Sequence, residues 1–162
     1  MLTIKELVRL SLLSSLMMVA QVGMAFLPNI ELVSLLCIGY TLSLGKKALY
    51  VIYIFVLMQG LLYGFGLWWL CYLYVWTILW GATMLLSSME APLGWAVVSG
   101  LFGLFFGMLT ALPYLLTGGY SMAFAYWVNG IPFDIAHCIG NFAAALILLK
   151  PLRRILEGFL KG

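Results

Sequence analysis

The sequence predicts an all-α integral membrane protein, a compact bundle of six transmembrane helices in one domain, and three observations predict it. Hydrophobic residues make up 65% of the 162 residues and charged residues 8%, too little polarity to cover a soluble globule. The apolar runs are continuous where a membrane barrel would alternate, so the spanning elements are helices that satisfy their own backbone hydrogen bonds. The 8 Lys and Arg residues all lie beside alternate ends of these runs: Lys5 and Arg9 before the first, Lys46 and Lys47 between the second and third, and Lys150, Arg153, Arg154 and Lys161 after the last. Under the positive-inside rule this fixes a cytoplasmic face carrying both termini and an outer face free of Lys and Arg.

Judged against the roughly 20 residues a spanning helix needs, the segments fall at about 6–27, 31–44, 47–63, 68–87, 93–116 and 131–149, with an amphipathic tail at 151–161. The first begins behind Lys5 and Arg9 and, with Gly23-Met24-Ala25, loosely imitates a signal peptide. The run from Leu10 to Leu27 exceeds a usual signal core, so it reads as a span. Ser11 and Ser15 form a small-residue seam near its inner end, suited to internal packing or to a partner in the membrane.

The second segment is short. Glu31 to Lys46 covers about 22 Å at 1.5 Å per residue, against a hydrocarbon core of roughly 30 Å. With Lys46 at the inner interface, Glu31 lies below the outer surface, which points to an outward-facing hollow. The alternative is that Asn29 caps the helix and Glu31 complements its dipole, and the two readings are compatible. The third segment runs from Lys47 towards an outer connection at Gly60 to Gly66 and carries Gln59 near that end.

In the fourth segment Trp69, Tyr72, Trp76 and Trp80 recur at helical spacing and share one face. An interfacial belt accounts for Trp68 and Trp69, whereas Trp76 and Trp80 lie about 10 and 16 Å deeper. Rings at that depth either fill the bundle core or form a stacking wall for a flat ligand. The fifth segment carries Ser99, Gly103, Gly107 and Ala111 every fourth residue, a seam along which another helix can approach closely. Thr117 to Gly130 then reads as an outer connection: a lid, a re-entrant turn or a loop.

The last segment places Asp134, His137 and Asn141 within an arc of about 60°, some 13 to 24 Å above the inner interface when counted from Lys150. Ala136, Gly140 and Ala144 form a separate small face for packing. Ionisable groups at membrane depth either bind something or tie helices together. Beyond Pro151, Leu152, Ile155, Leu156, Phe159 and Leu160 share the apolar face of a helix expected to lie on the inner surface against the lipid bilayer.

Together with Glu31, Gln59 and Asn129, these residues describe a pocket open to the outside, aromatic on the Trp69, Tyr72 and Trp76 wall and polar on the Asp134, His137 and Asn141 wall. Two carboxylates with no outer Lys or Arg favour a neutral or cationic ligand, with a heteroaromatic ring among the options. Replacing Asp134 or Trp76 is expected to weaken its binding.

Other functions are disfavoured. The formal charge of +3 is explained by orientation, so no nucleic-acid partner is implied. Cys37, Cys71 and Cys138 form no CxxC pair, and the single histidine, His137, has no second one with which to complete a metal site. No catalytic motif is present, and Gly39 to Lys47 imitates a phosphate loop with the wrong glycine spacing and Lys47 in the Ser/Thr position. The expectation is a protein that is not an enzyme and carries no cofactor.

Six helices in about 160 residues, the segment Leu27-Pro28-Asn29-Ile30-Glu31-Leu32-Val33, the aromatic run from Trp68 to Trp76, and Gly130-Ile131-Pro132-Phe133-Asp134 with His137 and Asn141 resemble the substrate-binding S components of energy-coupling factor (ECF) vitamin transporters. The resemblance covers nearly the whole chain. It implies a substrate-capture subunit of an ABC importer in a bacterial cell membrane, taking a vitamin or precursor into an outward pocket. It also implies a coupling membrane subunit and two cytoplasmic ATPase subunits as partners, with Ser11 and Ser15 at the positions of the family's AxxxA contact on the first helix. Serine there departs from the family's alanine. Two other readings remain open from the residues: a membrane scaffold of the rod-shape-determining type, with the Asp134 face against a protein, and a self-sufficient carrier in which Asp134 and His137 relay protons.

Overall fold

The computed structural model describes residues 2–161, and among them there is no strand. The helices are α1 (Ile4–Gly23), α2 (Val33–Leu44), α3 (Ala48–Tyr63), α4 (Leu67–Leu85), α5 (Pro92–Thr110) and α6 (Tyr114–Lys161). Five helical runs are long and apolar enough to cross a membrane, where the sequence predicts six. The difference lies in α2, which has 12 residues and continues through a short turn at Gly45–Lys47 into α3. At 1.5 Å per residue α2 is about 18 Å long, short of the roughly 30 Å core.

Local chemistry sets the helix ends. Thr3 and Glu6 close a capping box at the start of α1: the Glu6 N–H donates to Thr3 Oγ1 at 3.2 Å and the Thr3 N–H donates to Glu6 Oε2 at 2.8 Å. Pro92 opens α5, where a missing N–H costs nothing. Gly45 ends α2 with φ of 57°, a conformation glycine adopts without a side-chain clash.

Helix α2 is the centre of the bundle. Every residue from Val33 to Thr41 is buried, and the helix touches each of the other five. A helix apolar on all sides has no face to offer water, so burial on all sides is its stable place. Around it, α1 and α3 run side by side. Their register is fixed by the Glu6–Lys47 ion pair at one end and by Ser14, whose Oγ–H lies 2.8 Å from Leu10 O and 3.0 Å from Val51 O.

The α5 seam packs on α6. A Cβ at Gly103 would come within 2.8 Å of the His137 backbone, and one at Gly107 would overlap the Asp134 carboxylate. Gly100, one position from the predicted Ser99, faces Phe142 and Cys138 in the same way. Close backbone approach of this kind is what small residues permit between membrane helices.

The sequence reading separates a sixth helix at 131–149 from an outer connection and an inner tail, whereas the chain from Tyr114 to Lys161 is helical and is broken at Gly119, with φ of 70°. Pro132 and Pro151 are both accommodated inside it. Each removes one backbone hydrogen bond, and both occupy exposed positions. Past Pro151 the helix runs beneath the bundle: Leu152 and Leu156 approach Gly39 of α2, and the Arg9 guanidinium of α1 lies 5.9 Å from the Phe159 ring centre. The predicted apolar face of the tail is therefore divided, with Leu156 buried against α2 and Ile155 69% exposed.

Candidate ligand-binding site

The end of the bundle opposite the Lys and Arg residues holds a cavity of about 430 Å³. Its walls come from the end of α1 (Gln21), the turn through Asn29 to Glu31, the end of α3 (Gln59, Tyr63), the start of α4 (Trp68, Tyr72, Trp76), Phe106 of α5 and His137 of α6. Because α2 starts late, the chain between α1 and α2 forms this cavity's rim where a full-length helix would have filled it. Asn29 turns that rim with φ of 55°, in the left-handed region that Asn tolerates better than most residues.

Four side chains tie α6 to the start of α2. The His137 Nε2–H donates to Glu31 Oε1 at 3.1 Å. The Glu31 carboxylate also accepts the Ser34 N–H at 2.9 Å and the Ser34 hydroxyl proton, so it caps the first turn of α2. Asn141 Nδ2–H donates to Ser34 Oγ at 3.1 Å, one turn closer to the cationic end. Glu31 thus holds three of the about four hydrogen bonds a carboxylate can accept.

Aromatic rings continue the wall in an arc. Trp68 meets Tyr72 and Tyr72 meets Trp76 edge-on, with ring centres 5.4 and 5.5 Å apart. Phe106 bridges from Trp76 at 5.9 Å to His137 at 4.9 Å. Such edge-to-face contacts align the negative face of one ring with the positive edge of the next.

Five of the residues singled out in the sequence line this cavity together: Glu31, Gln59, Tyr72, Trp76 and His137. The others lie elsewhere. Trp69 turns into the α3–α4 corner, where its N–H donates to Val56 O at 2.9 Å and its ring meets Phe65 beside the bare Gly60. Asn141 sits beneath the cavity, bonded to Ser34. Asp134 accepts the Gly107 N–H at 2.9 Å and, with Asn129, lines a separate cleft of about 440 Å³ on the other side of Phe106. The expectation of two carboxylates in one pocket is corrected accordingly: one faces the cavity, and it is already engaged with Ser34 and His137. Ser11 and Ser15 lie on the exposed face of α1, where the Ser15 hydroxyl donates back to Ser11 O at 2.9 Å.

The chain matches no family model, no curated protein and no solved structure. The site is therefore read from its own residues, and sequence reasoning missed several of them, Tyr63 at the end of α3 included. Trp68 stands four residues before Tyr72 and eight before Trp76, a spacing visible in the sequence but assigned to an interfacial belt. Ser34 stands three residues after Glu31, the separation at which a side chain reaches back across a first helical turn. Gln21 is the one amide side chain of α1, and Phe106 carries no signal within a helix whose residues are nearly all apolar.

Three buried polar atoms on cavity-lining side chains have no hydrogen-bond partner among the described residues: Gln59 Nε2, Trp76 Nε1 and His137 Nδ1. The first two are donors, and His137 Nδ1 is an acceptor when Nε2 carries the proton; a buried polar atom without a partner is costly whichever it is.

Proposed function

We propose that this chain is the substrate-capture S component of an ECF-type importer in a bacterial cell membrane, binding a vitamin or vitamin precursor from outside. The observation that carries the reading is the cavity at the end free of Lys and Arg, walled by Trp68, Tyr72, Trp76 and Phe106 and floored by Glu31 and His137. A small hollow that sets aromatic rings against placed polar groups suits a small-molecule ligand.

In this reading the six helices form one capture unit, with α2 as its short centre. The cationic end faces the cytoplasm and both termini lie there. The chain makes and breaks no bond in its ligand; energy comes from two ATPase subunits through a coupling membrane subunit. The unpartnered face of α1, with Ser11 and Ser15, is the docking surface for that subunit.

Purified protein in detergent, titrated with thiamine, its pyrimidine precursor, cobalamin, benzimidazole ribosides, pantothenate and folate, is expected to show Trp quenching and thermal stabilisation with one of them. Silence across the panel contradicts the reading.

A further inference from the structure

The exposed side of α3 carries a groove that the capture site does not use. Counted from the turn ahead of α3, Lys46, Tyr50, Tyr53 and Leu57 recur at steps of four, three and four, so they share one stripe, and all four are exposed. With Leu2 and Ile54 they enclose a groove of about 760 Å³. The groove is graded from a cationic end at Lys46 and Lys47 to an apolar end at Leu57. The Tyr53 hydroxyl is anchored on α4, 3.1 Å from Leu73 O and 2.8 Å from Thr77 Oγ1, so its ring is held in place as a wall.

The two lysines differ in what they offer. Lys47 is paired with Glu6, which offsets its charge and leaves two of its three N–H groups to donate. Lys46 has no ion pair among the described residues, and the Tyr50 hydroxyl, one turn further on, has no hydrogen bond among them. Both side chains are exposed and within reach of a ligand. The lining thus presents one uncompensated positive charge beside ammonium and hydroxyl donors. A phosphate diester with one net negative charge complements it, whereas a zwitterionic head group brings a cation of its own.

Length selects the rest. Lys46 to Leu57 spans about 16 Å at 1.5 Å per residue, close to half of the roughly 30 Å hydrocarbon core and so to the depth of one leaflet. A cation followed by an apolar channel of that depth has the outline of a phospholipid, with its head group at Lys46 and an acyl chain along Tyr53, Ile54 and Leu57. The other cationic cleft at this end of the bundle, beside Lys150, Arg153 and Arg154, differs in holding Glu90 and Glu157 among its cations.

We infer that the α3 groove binds a phospholipid of one net negative charge from the leaflet at the cationic end of the bundle, with its phosphate on Lys46, Lys47 and the Tyr50 hydroxyl. The inference goes beyond vitamin capture and does not depend on it.

The test is native mass spectrometry of the full chain in detergent, titrated with dioleoylphosphatidylglycerol and with dioleoylphosphatidylcholine, which share their chains and differ in head-group charge. The anionic lipid is expected to bind about fivefold more tightly, the effect of one lysine at a charged lipid surface. Lys46→Gln is expected to abolish that preference and Lys150→Gln to preserve it. Ile54→Trp, which places a larger side chain in the groove, should weaken both lipids and leave their ratio unchanged. Glycerol 3-phosphate at millimolar concentration should fail to displace the lipid, because it lacks the chain. Equal affinity for the two lipids, a preference untouched by Lys46→Gln or lost equally in Lys150→Gln, unchanged binding in Ile54→Trp, or displacement by glycerol 3-phosphate overturns the inference. None of these outcomes bears on the vitamin panel, so capture and lipid binding fail separately.

Discussion

His137 Nε2 on α6 lies 3.1 Å from Glu31 Oε1, just ahead of α2, so the longest helix of the bundle is fastened to the first turn of its central one. Both groups are nearly sealed from solvent, with side-chain exposures of 4% and 12%. Glu31→Ala would strand the Ser34 N–H, the Ser34 hydroxyl and the His137 N–H at once. Its expected cost is about 1–3 kcal/mol, read as a lowered midpoint in thermal unfolding in detergent. Glu31→Gln, which keeps an acceptor oxygen, should lose less than Glu31→Ala.

Helix α5 provides a paired test of close packing. A Cβ at Gly103 would meet the His137 carbonyl at 2.8 Å and the Cys138 nitrogen at 2.9 Å, whereas one at Gly81 of α4 meets nothing within 4 Å. Gly103→Ala should destabilise by about 1–3 kcal/mol through overpacking. Gly81→Ala should leave the unfolding midpoint unchanged or raise it slightly, since alanine is the better helix former.

Asp134 and Trp76 are expected to behave differently in binding, although both were candidates on sequence grounds. Asp134→Asn keeps an oxygen for the Gly107 N–H and lies across Phe106 from the cavity, so ligand affinity should change by less than about threefold. Trp76→Ala removes the ring that joins Tyr72 to Phe106 in the aromatic arc and should weaken binding by about tenfold or more. Titration of both variants against whichever vitamin the wild type captures decides the matter.

Orientation is tested by labelling. With Asn29→Cys and Lys46→Cys placed singly in a chain whose own cysteines are replaced by alanine, a membrane-impermeant maleimide added to whole cells should label the first and spare the second. Labelling of both from outside would contradict a cavity facing outward.

Fold class was legible because composition and continuous apolar runs leave few alternatives, and the shortness of α2 was visible from Glu31 to Lys46. Its central position was not, because a helix apolar on every side has no periodicity to read. The full length of α6 was hidden by Gly118-Gly119, Gly130, Pro132 and Pro151, residues that usually mark breaks. Only Gly119 leaves helical geometry, and both prolines are carried inside the helix. Asp134, His137 and Asn141 do share a stripe, yet depth separates their partners: Gly107 of α5, Glu31 and Ser34 respectively. Helical spacing predicts a shared face, and it carries no information on which neighbour lies at each level.

The most direct test of capture in this cavity is mass spectrometry of small molecules that copurify with the detergent-solubilised protein from vitamin-replete cells, for the wild type and for Trp76→Ala in parallel. The account predicts one vitamin or vitamin precursor, stoichiometric in the wild type and depleted at least about tenfold in the variant. A compound retained equally by both proteins would contradict it.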